Sequence, residues 1–410
     1  MAAERIVQLV VPREAEWGPQ FDVARATDAY VASIPAAERE KSDAYFEGGY
    51  WIGLWSALIT VLIGWLLLRS RFAAHVRDVA LRRTSARFLQ YFICSASFLL
   101  ALAVLTLPWS LYTGDFREHQ YGMSNQTLGA FLGEWSIGLG LFVAFGGLMI
   151  AGLYLLVRRV RERWVWWAMG FTAIAILFVI LVEPVFVAPL FNDYKSLPEG
   201  ETRQSILALA EASAIPAGDV YWFDASRQTK RISANVSGVG GTTRIALNDN
   251  LLNDTSLPEI RAVMGHEMGH YALNHSLWLT VAFTLAFGVG YWFVNRLFGY
   301  FQRRYGERWG VRELADAAGL PLAFAIFTAV MLLLSPVTNT ISRTAESQAD
   351  ASGLEAAREP HGFASVAMRL ASYRKIEPGP VEEILFFGHP SGRARVERAM
   401  TWLVQHPPSP

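Results

Sequence analysis

Residues 257–298, LPEIRAVMGHEMGHYALNHSLWLTVAFTLAFGVGYWFVNRLF, join two kinds of text in one stretch. The first half holds His266-Glu267-Met268-Gly269-His270; the second, from Ser276 to Phe298, is apolar and long enough to cross a bilayer. On a helix, residues four apart share a face, so His266 and His270 can address one metal ion while Glu267 reaches a water on that ion. Ser256-Leu257-Pro258-Glu259 is a helix-opening signature, and the helix is expected to run on into the span. A metal held there sits near the membrane boundary or within it. Two ligands do not make a catalytic zinc site, which takes a third protein ligand and keeps one position open.

The rest of the chain agrees with a membrane setting. Of 410 residues, 52% are hydrophobic, and the mean hydropathy is positive, both high for a soluble protein. Acidic and basic side chains number 36 each, so no net charge argues for a nucleic-acid partner. Six segments can span a membrane: about Trp51–Leu68, Tyr91–Tyr112, Trp135–Val157, Trp164–Val182, Ser276–Phe298 and Leu320–Thr340. Trp51, Trp109, Trp164 and Trp292 lie near their ends, as interfacial anchors do. Helices buried in a large soluble core would not be bounded by arginine clusters in this way. The one cysteine, Cys94, excludes an intramolecular disulfide and argues against a thiolate metal site.

Arginines set the orientation. The loop 70–90 carries Arg71, Arg77, Arg82, Arg83 and Arg87 against Asp78. The loop after Val157 carries Arg158, Arg159, Arg161 and Arg163 against Glu162, and Arg303, Arg304, Arg308 and Arg312 follow the fifth span. By the positive-inside rule these loops are cytoplasmic, so both termini and the polar region from about Phe191 to His275 lie on the other side. In a bacterial inner membrane the site would face the periplasm. About the first 45 residues contain no span and no secretory signal.

Between the fourth and fifth spans the text becomes globular. Glu201–Ala214 has helical periodicity, with Ile206, Leu207, Leu209 and Ala210 inward, and Ile215-Pro216-Ala217-Gly218 ends it. Val220–Phe223, Asn235–Val239 and Arg244–Leu247 read as short strands, with Gly240-Gly241 as a turn. Residues 236–239 are expected to act as an edge strand on which an extended peptide can be added.

The third ligand is sought in Ser342-Arg343-Thr344-Ala345-Glu346-Ser347-Gln348-Ala349-Asp350, just after the sixth span. Glu346 and Asp350 share a helix face, so the first can bind metal while the second accepts a hydrogen bond from a ligand imidazole and fixes its tautomer. His275 competes, but the metzincin spacing requires glycine at 273 and histidine at 276, where Leu273 and Ser276 stand.

Taken together, HEMGH (266–270), SRTAESQAD (342–350), Asn235-Val236-Ser237-Gly238 with RIALNDNLL (244–252), and His389-Pro390-Ser391 with Arg395 resemble the M48 family of membrane zinc peptidases. Pro189-Leu190-Phe191-Asn192 is similar to the Ste24-type, CAAX prenyl protease branch. The resemblance runs from about Ser42 onward and implies a gluzincin-like peptidase core in a helical membrane domain, in Ste24 a barrel around a large water-filled chamber. It implies that His266, His270 and Glu346 hold one zinc ion, with Glu267 as general base and acid. Asp350 then supports a ligand, His389 donates to the oxyanion, Arg395 braces that end of the site, and Asn235 borders the substrate. The chain departs from the Ste24 pattern in three respects. It shows one span fewer, the absent one preceding Phe21. Asn235-Val236-Ser237 stands where typical members read asparagine-alanine-tyrosine. Eukaryotic Ste24 enzymes expose the catalytic domain to the cytosol, the face opposite to the arginine reading.

The expected fold is mainly α, a polytopic bundle or barrel enclosing a chamber, with a small α+β zinc peptidase domain. Its divisions are an N-terminal extramembrane segment (1–48), a four-span region (49–190), the peptidase subdomain (191–275), two further spans (276–340) and a C-terminal catalytic segment (341–410). The expected function is an integral membrane zinc metalloendopeptidase whose partners are a peptide or protein substrate and the lipid bilayer. The alternative is a transporter or peptide-binding scaffold with a structural zinc. Glu267 would have no purpose there, and a structural site would prefer four closed protein ligands.

Overall fold

Long apolar segments in lipid must satisfy their own backbone hydrogen bonds, and here they do so as helices. The computed structural model describes residues 7–238 and 243–408. Its first part contains α1 (Val23–Ala32), α2 (Ala36–Arg69), α3 (Phe72–Arg83), α4 (Arg87–Leu111), α5 (Arg117–Gln120), α6 (Leu128–Val160) and α7 (Trp164–Val182). The α+β part follows: β1 (Tyr194–Ser196), α8 (Glu201–Ala212), β2 (Val220–Phe223), β3 (Ala234–Ser237), β4 (Arg244–Asn248), α9 (Asp249–Asp254) and α10 (Leu257–Ala272). The chain then forms α11 (His275–Trp309), α12 (Leu320–Ala357), α13 (Pro360–Arg369), α14 (Pro380–Phe386) and α15 (Gly392–Gln405).

Among the described residues, five helical stretches are long and apolar enough to cross a membrane, where six separate spans were expected: Ala36–Arg69, Arg87–Gln120, Leu128–Leu190, His275–Trp309 and Ala317–Ala357. The third contains both α6 and α7. Arg161, at φ 46°, turns the chain between them, and Gly152 then meets the Phe171 ring across a hairpin. A Cβ at Gly152 would come within 2.9 Å of that ring.

The long helices form a closed ring: α2 packs on α4, α4 on α6, α6 on α7, α7 on α11, α11 on α12, and α12 back on α2. Its apolar contacts concentrate at one end. Ile63, Leu67, Phe98, Leu99, Ala151 and Leu320 belong to one buried cluster there, and Trp164, Ala168, Phe298, Leu322 and Ile326 to another. The three arginine-rich loops lie at this end, where Arg77 donates to the Gly310 carbonyl at 2.8 Å and to Asp316 at 2.6 Å. Toward the other end Ile174, Phe178 and Leu181 of α7 are exposed, as are Val281 and Leu285 on one face of α11. The larger apolar clusters of the ring thus lie toward the arginine end, away from the peptidase part.

The small sheet has the order β1-β2-β4-β3, with β2 and β4 parallel and the outer pairs antiparallel. Its inner face packs Val220, Ile245 and Leu247 against Ile206 and Leu209 of α8 and Ile260, Met264 and Met268 of α10. β3 is an edge strand, as expected, though it ends at Ser237; Val239 and the Gly240-Gly241 turn lie outside the described residues. β1 was not anticipated. Helix α1 docks on the C-terminal segment, where Tyr30 Oη lies 2.9 Å from His361 Nδ1.

Candidate active site

Helix α10 starts where its sequence says it should. The Ser256 amide and hydroxyl both donate to Glu259 at 2.7 Å, closing a capping box. Glu259 is fully buried and also accepts from Ser365 (2.7 Å) and Arg369 (2.5 Å), which ties α10 to α13. Burial alone would raise its pKa, but these donors outweigh it and hold the carboxyl below the usual range. The helix does not run on into the fifth span as expected. Asn274 enters the left-handed region (φ 53°) and separates α10 from α11. Asparagine is among the few non-glycine residues that visit this region readily.

The third ligand is delivered by a close helix crossing. Gly265 and Gly269 of α10 face Gly353 and Ala349 of α12 so tightly that a Cβ on Gly265 would stand 2.8 Å from the Gly353 carbonyl oxygen. Across this crossing, His266 Nε2 lies 3.3 Å from Glu346 Oε2, His270 Nε2 3.5 Å from Glu346 Oε1, and the two Nε2 atoms 3.2 Å apart. Ligand atoms about 2.0–2.1 Å from a tetrahedral zinc ion are separated by roughly 3.3–3.4 Å, so this donor set fits the ion. The charge balance agrees. Burial opposes a charged His266, yet the carboxylates of Asp350 and Glu346 outweigh it and push its pKa up to about 9. The cluster therefore favours positive charge at its centre.

Surrounding groups fix the imidazoles. His266 Nδ1 lies 2.8 Å from Asp350 Oδ1, so Nδ1 keeps its proton and Nε2 is the nitrogen that gives one up to a metal ion. Asp350 is fully buried, and its other oxygen lies 3.0 Å from Arg395 Nε; Arg395 also donates to Glu346 Oε2 at 3.1 Å. On the other ligand, His275 Nε2 donates to Gln348 Oε1 (3.2 Å), so its Nδ1 accepts from His270 Nδ1 (2.8 Å), and His270 Nε2 is left bare. His275 is thus not a rival ligand but the group behind one. The left-handed turn at Asn274 aims it back at α10, an effect that spacing alone does not reveal.

His266, His270, Glu346, Asp350 and Arg395 share a cavity of about 260 Å³ with Glu267, Tyr373, Arg374 and His389. Burial raises the Glu267 carboxyl above its ordinary range, as suits a base that must later hold a proton. His389 precedes α15, whose N-cap Ser391 accepts from the Ala394 amide. Its Nε2 lies 3.5 Å from Glu346 Oε1 and 3.5 Å from Arg374 Nη2. Burial and the Arg374 cation push its pKa down to about 3, so it is a neutral imidazole near pH 7. The wall contributed by the strand region is Ile232, Ser233 and Ala234, just N-terminal to the expected Asn235, Val236, Ser237 and Gly238. Tyr373 and Arg374 were missed because they follow a short 3-10 turn with no motif of their own.

Comparison with known proteins agrees with this geometry. The profile of peptidase family M48 matches residues 196–403, and that of the CAAX prenyl protease N-terminal region, described as five membrane helices, matches residues 22–193. The chain belongs to peptidase family M48. Among its relatives, the uncharacterized metalloprotease YhfN of Bacillus subtilis is 29% identical over 76% of this chain and 74% of its own length. The CAAX prenyl protease 1 homolog of rice is 31% identical over 60% of this chain and 58% of its own, and CAAX prenyl protease 1 of baker's yeast 27% identical over 63% and 60%. The match therefore spans less than two thirds of the two prenyl proteases. The crystal structure of Ste24p from S. mikatae superposes with a TM-score of 0.73 at 22% identity, covering 90% of this chain and 89% of that one. The fold is that of a Ste24-type helical membrane chamber with a peptidase domain. This M48 protein is an integral membrane zinc metalloprotease, and the transporter alternative finds no support.

Proposed function

We propose that the chain hydrolyses peptide bonds in the cavity around His266, His270 and Glu346, with these three side chains holding the one zinc ion. The observation that carries this reading is the mutual spacing of their ligand atoms, with Glu267 in the same cavity. When bound, the ion supplies Lewis acidity, polarising the scissile carbonyl and acidifying a water. Glu267 takes the proton of the attacking water and returns it to the leaving amine. His389, neutral at pH 7, donates an N–H to the developing oxyanion. Asp350 and His275 keep the ligand tautomers, and Arg395 holds Asp350 and Glu346 in place. The extended substrate lies along the free edge of β3 in the segment 235–238, reaching the metal past Ile232–Ala234.

The arginine loops and the metal site lie at opposite ends of the ring, so the positive-inside rule supports a site on the face away from the cytoplasm. In a bacterial inner membrane that is the periplasmic face. The names of the rice and yeast relatives add prenylated C-terminal peptides to the substrates worth testing. The experiment is a peptide library, with and without prenylated members, offered to zinc-loaded protein and to Glu267→Gln. Cleavage by the first alone supports the reading; equal behaviour of the two refutes it. Peptides retained on Glu267→Gln report the substrate class.

A further inference from the structure

At the end of the ring remote from the metal site, a cavity of about 340 Å³ opens between α3, the start of α4, the end of α6 and the loop before α12. That volume is within the range of small-ligand pockets, roughly 300–1,000 Å³. Arg77, Arg87, Arg158 and Arg312 line it, with Glu313 and Asp316 as its acidic residues. Arg77 and Asp316 are engaged with each other. Arg77 donates to Asp316 (2.6 Å), the Gly310 carbonyl (2.8 Å) and Asp78 (2.8 Å), and Asp316 also accepts from the amides of Arg312 (3.0 Å) and Ala318 (3.1 Å). Among the described residues, Arg87, Arg158 and Arg312 have no carboxylate within ion-pair distance; Glu313 is the one acid left to offset three cations.

We propose that this cavity binds a phosphate-bearing anion, the headgroup of an anionic phospholipid. Three guanidiniums from separate stretches repel one another when brought to one cavity, and a phosphate relieves that repulsion while accepting paired hydrogen bonds from more than one arginine. The depth suits a headgroup. Arg87 opens α4, Arg158 stands in the last turn of α6, and both mark the boundary where apolar runs give way to polar loops. Leu81, Tyr91 and Cys94 add apolar surface to the lining. Basic pockets between membrane helices at this level are where anionic lipids are held.

The test uses the full chain in neutral detergent, with the thermal midpoint followed as phosphatidylglycerol, phosphatidylcholine or inorganic phosphate is added. The expected result is a saturable rise with phosphatidylglycerol, none with phosphatidylcholine, and an apparent affinity weakened about tenfold or more in the triple variant R87Q/R158Q/R312Q. The control R303Q/R304Q/R308Q removes three arginines at the same end but outside the cavity, and should leave the response intact. Should the triple variant fail to fold, R158Q alone, at an exposed and unpaired residue, must still weaken the response. A shift given equally by inorganic phosphate keeps the anion site but overturns the lipid as its source. An equal loss in the control set, or an unchanged response in R87Q/R158Q/R312Q, reduces the effect to general attraction by a basic surface and refutes the site.

Discussion

Gly353→Ala tests whether a helix crossing sets the metal geometry. In the interior of a helix this change ordinarily gains roughly 1 kcal/mol. At position 353 the new Cβ would stand 2.7 Å from the His266 amide nitrogen and 2.9 Å from both the Gly265 carbonyl carbon and His266 Cα. Comfortable contacts between carbons are about 3.5–4.0 Å, so α10 and α12 must part by roughly 0.5–1 Å. All three contacts are backbone, and no rotamer change can absorb them. Overpacking costs about 1–3 kcal/mol, which cancels or exceeds the propensity gain, so the expected net effect is a modest loss of stability. The effect on the site should be larger, because α10 carries His266 and His270 while α12 carries Glu346. A misplacement near 1 Å costs about 10²-fold in rate, and zinc affinity should fall with it. Zinc competition against a chromophoric chelator, and kcat on a cleaved peptide, measure the two. Gly138→Ala, where nothing lies within 4 Å of the added Cβ, is the control. If Gly353→Ala binds zinc and cleaves within about twofold of the parent, the crossing does not set the ligand spacing and the reasoning fails.

Asp350→Asn removes the carboxylate beside His266 Nδ1 and should lower zinc affinity about 10–100-fold with the fold retained, read by chelator competition and circular dichroism. His275→Ala should act in the same range through His270; an unchanged zinc affinity would show that the His275–His270 contact is incidental. Glu259 has a folded pKa below its ordinary value, so its contribution is present above the unfolded carboxyl pKa of about 4.3 and is lost as pH falls through the lower folded value. Glu259→Gln should therefore cost about 2–3 kcal/mol at pH 7 and flatten the acid limb of stability, seen in denaturant titrations from neutral pH downward. An acid limb as steep as the parent's would assign that pH dependence to other carboxylates.

What was legible in the sequence was local. The HExxH pair, the capping box at Ser256 and Glu259, and the joint placement of Glu346 and Asp350 on one helix face all follow from helical periodicity, which needs no knowledge of the fold. The apolar runs were equally plain, and the arginine-rich loop between the third and fourth of them is where Arg161 turns α6 back on α7. The break at Asn274 escaped because the stretch Ala272–Ser276 contains neither glycine nor proline. The places of His275, Tyr373 and Arg374 depend on how α10, α12 and the segment after α13 meet, and β1 is three residues long, held by pairing with β2 and by contacts such as Arg244 over the Tyr194 ring. Apart from the local break at Asn274, each miss is a tertiary decision made by residues far apart in the chain.

The depth of the metal site follows from the same helices. Leu320 is buried in the packed arginine end, and Glu346 lies 26 residues further along α12. At 1.5 Å per residue that is about 39 Å, against a hydrocarbon core of about 30 Å. With Leu320 at one boundary of the core and little tilt, the helix is long enough to carry Glu346 to the far boundary. His275 opens α11 at that same level, since it touches both His270 and Gln348 of the site end, and α11 runs from there to Phe298 and Trp309 in the packed end. Two of the ring's helices thus act as struts that link the packed end to the metal centre. A zinc site closed off from water would have to desolvate its hydrolytic water and both carboxylates; the cavity at the site end leaves room for water beside the three ligands.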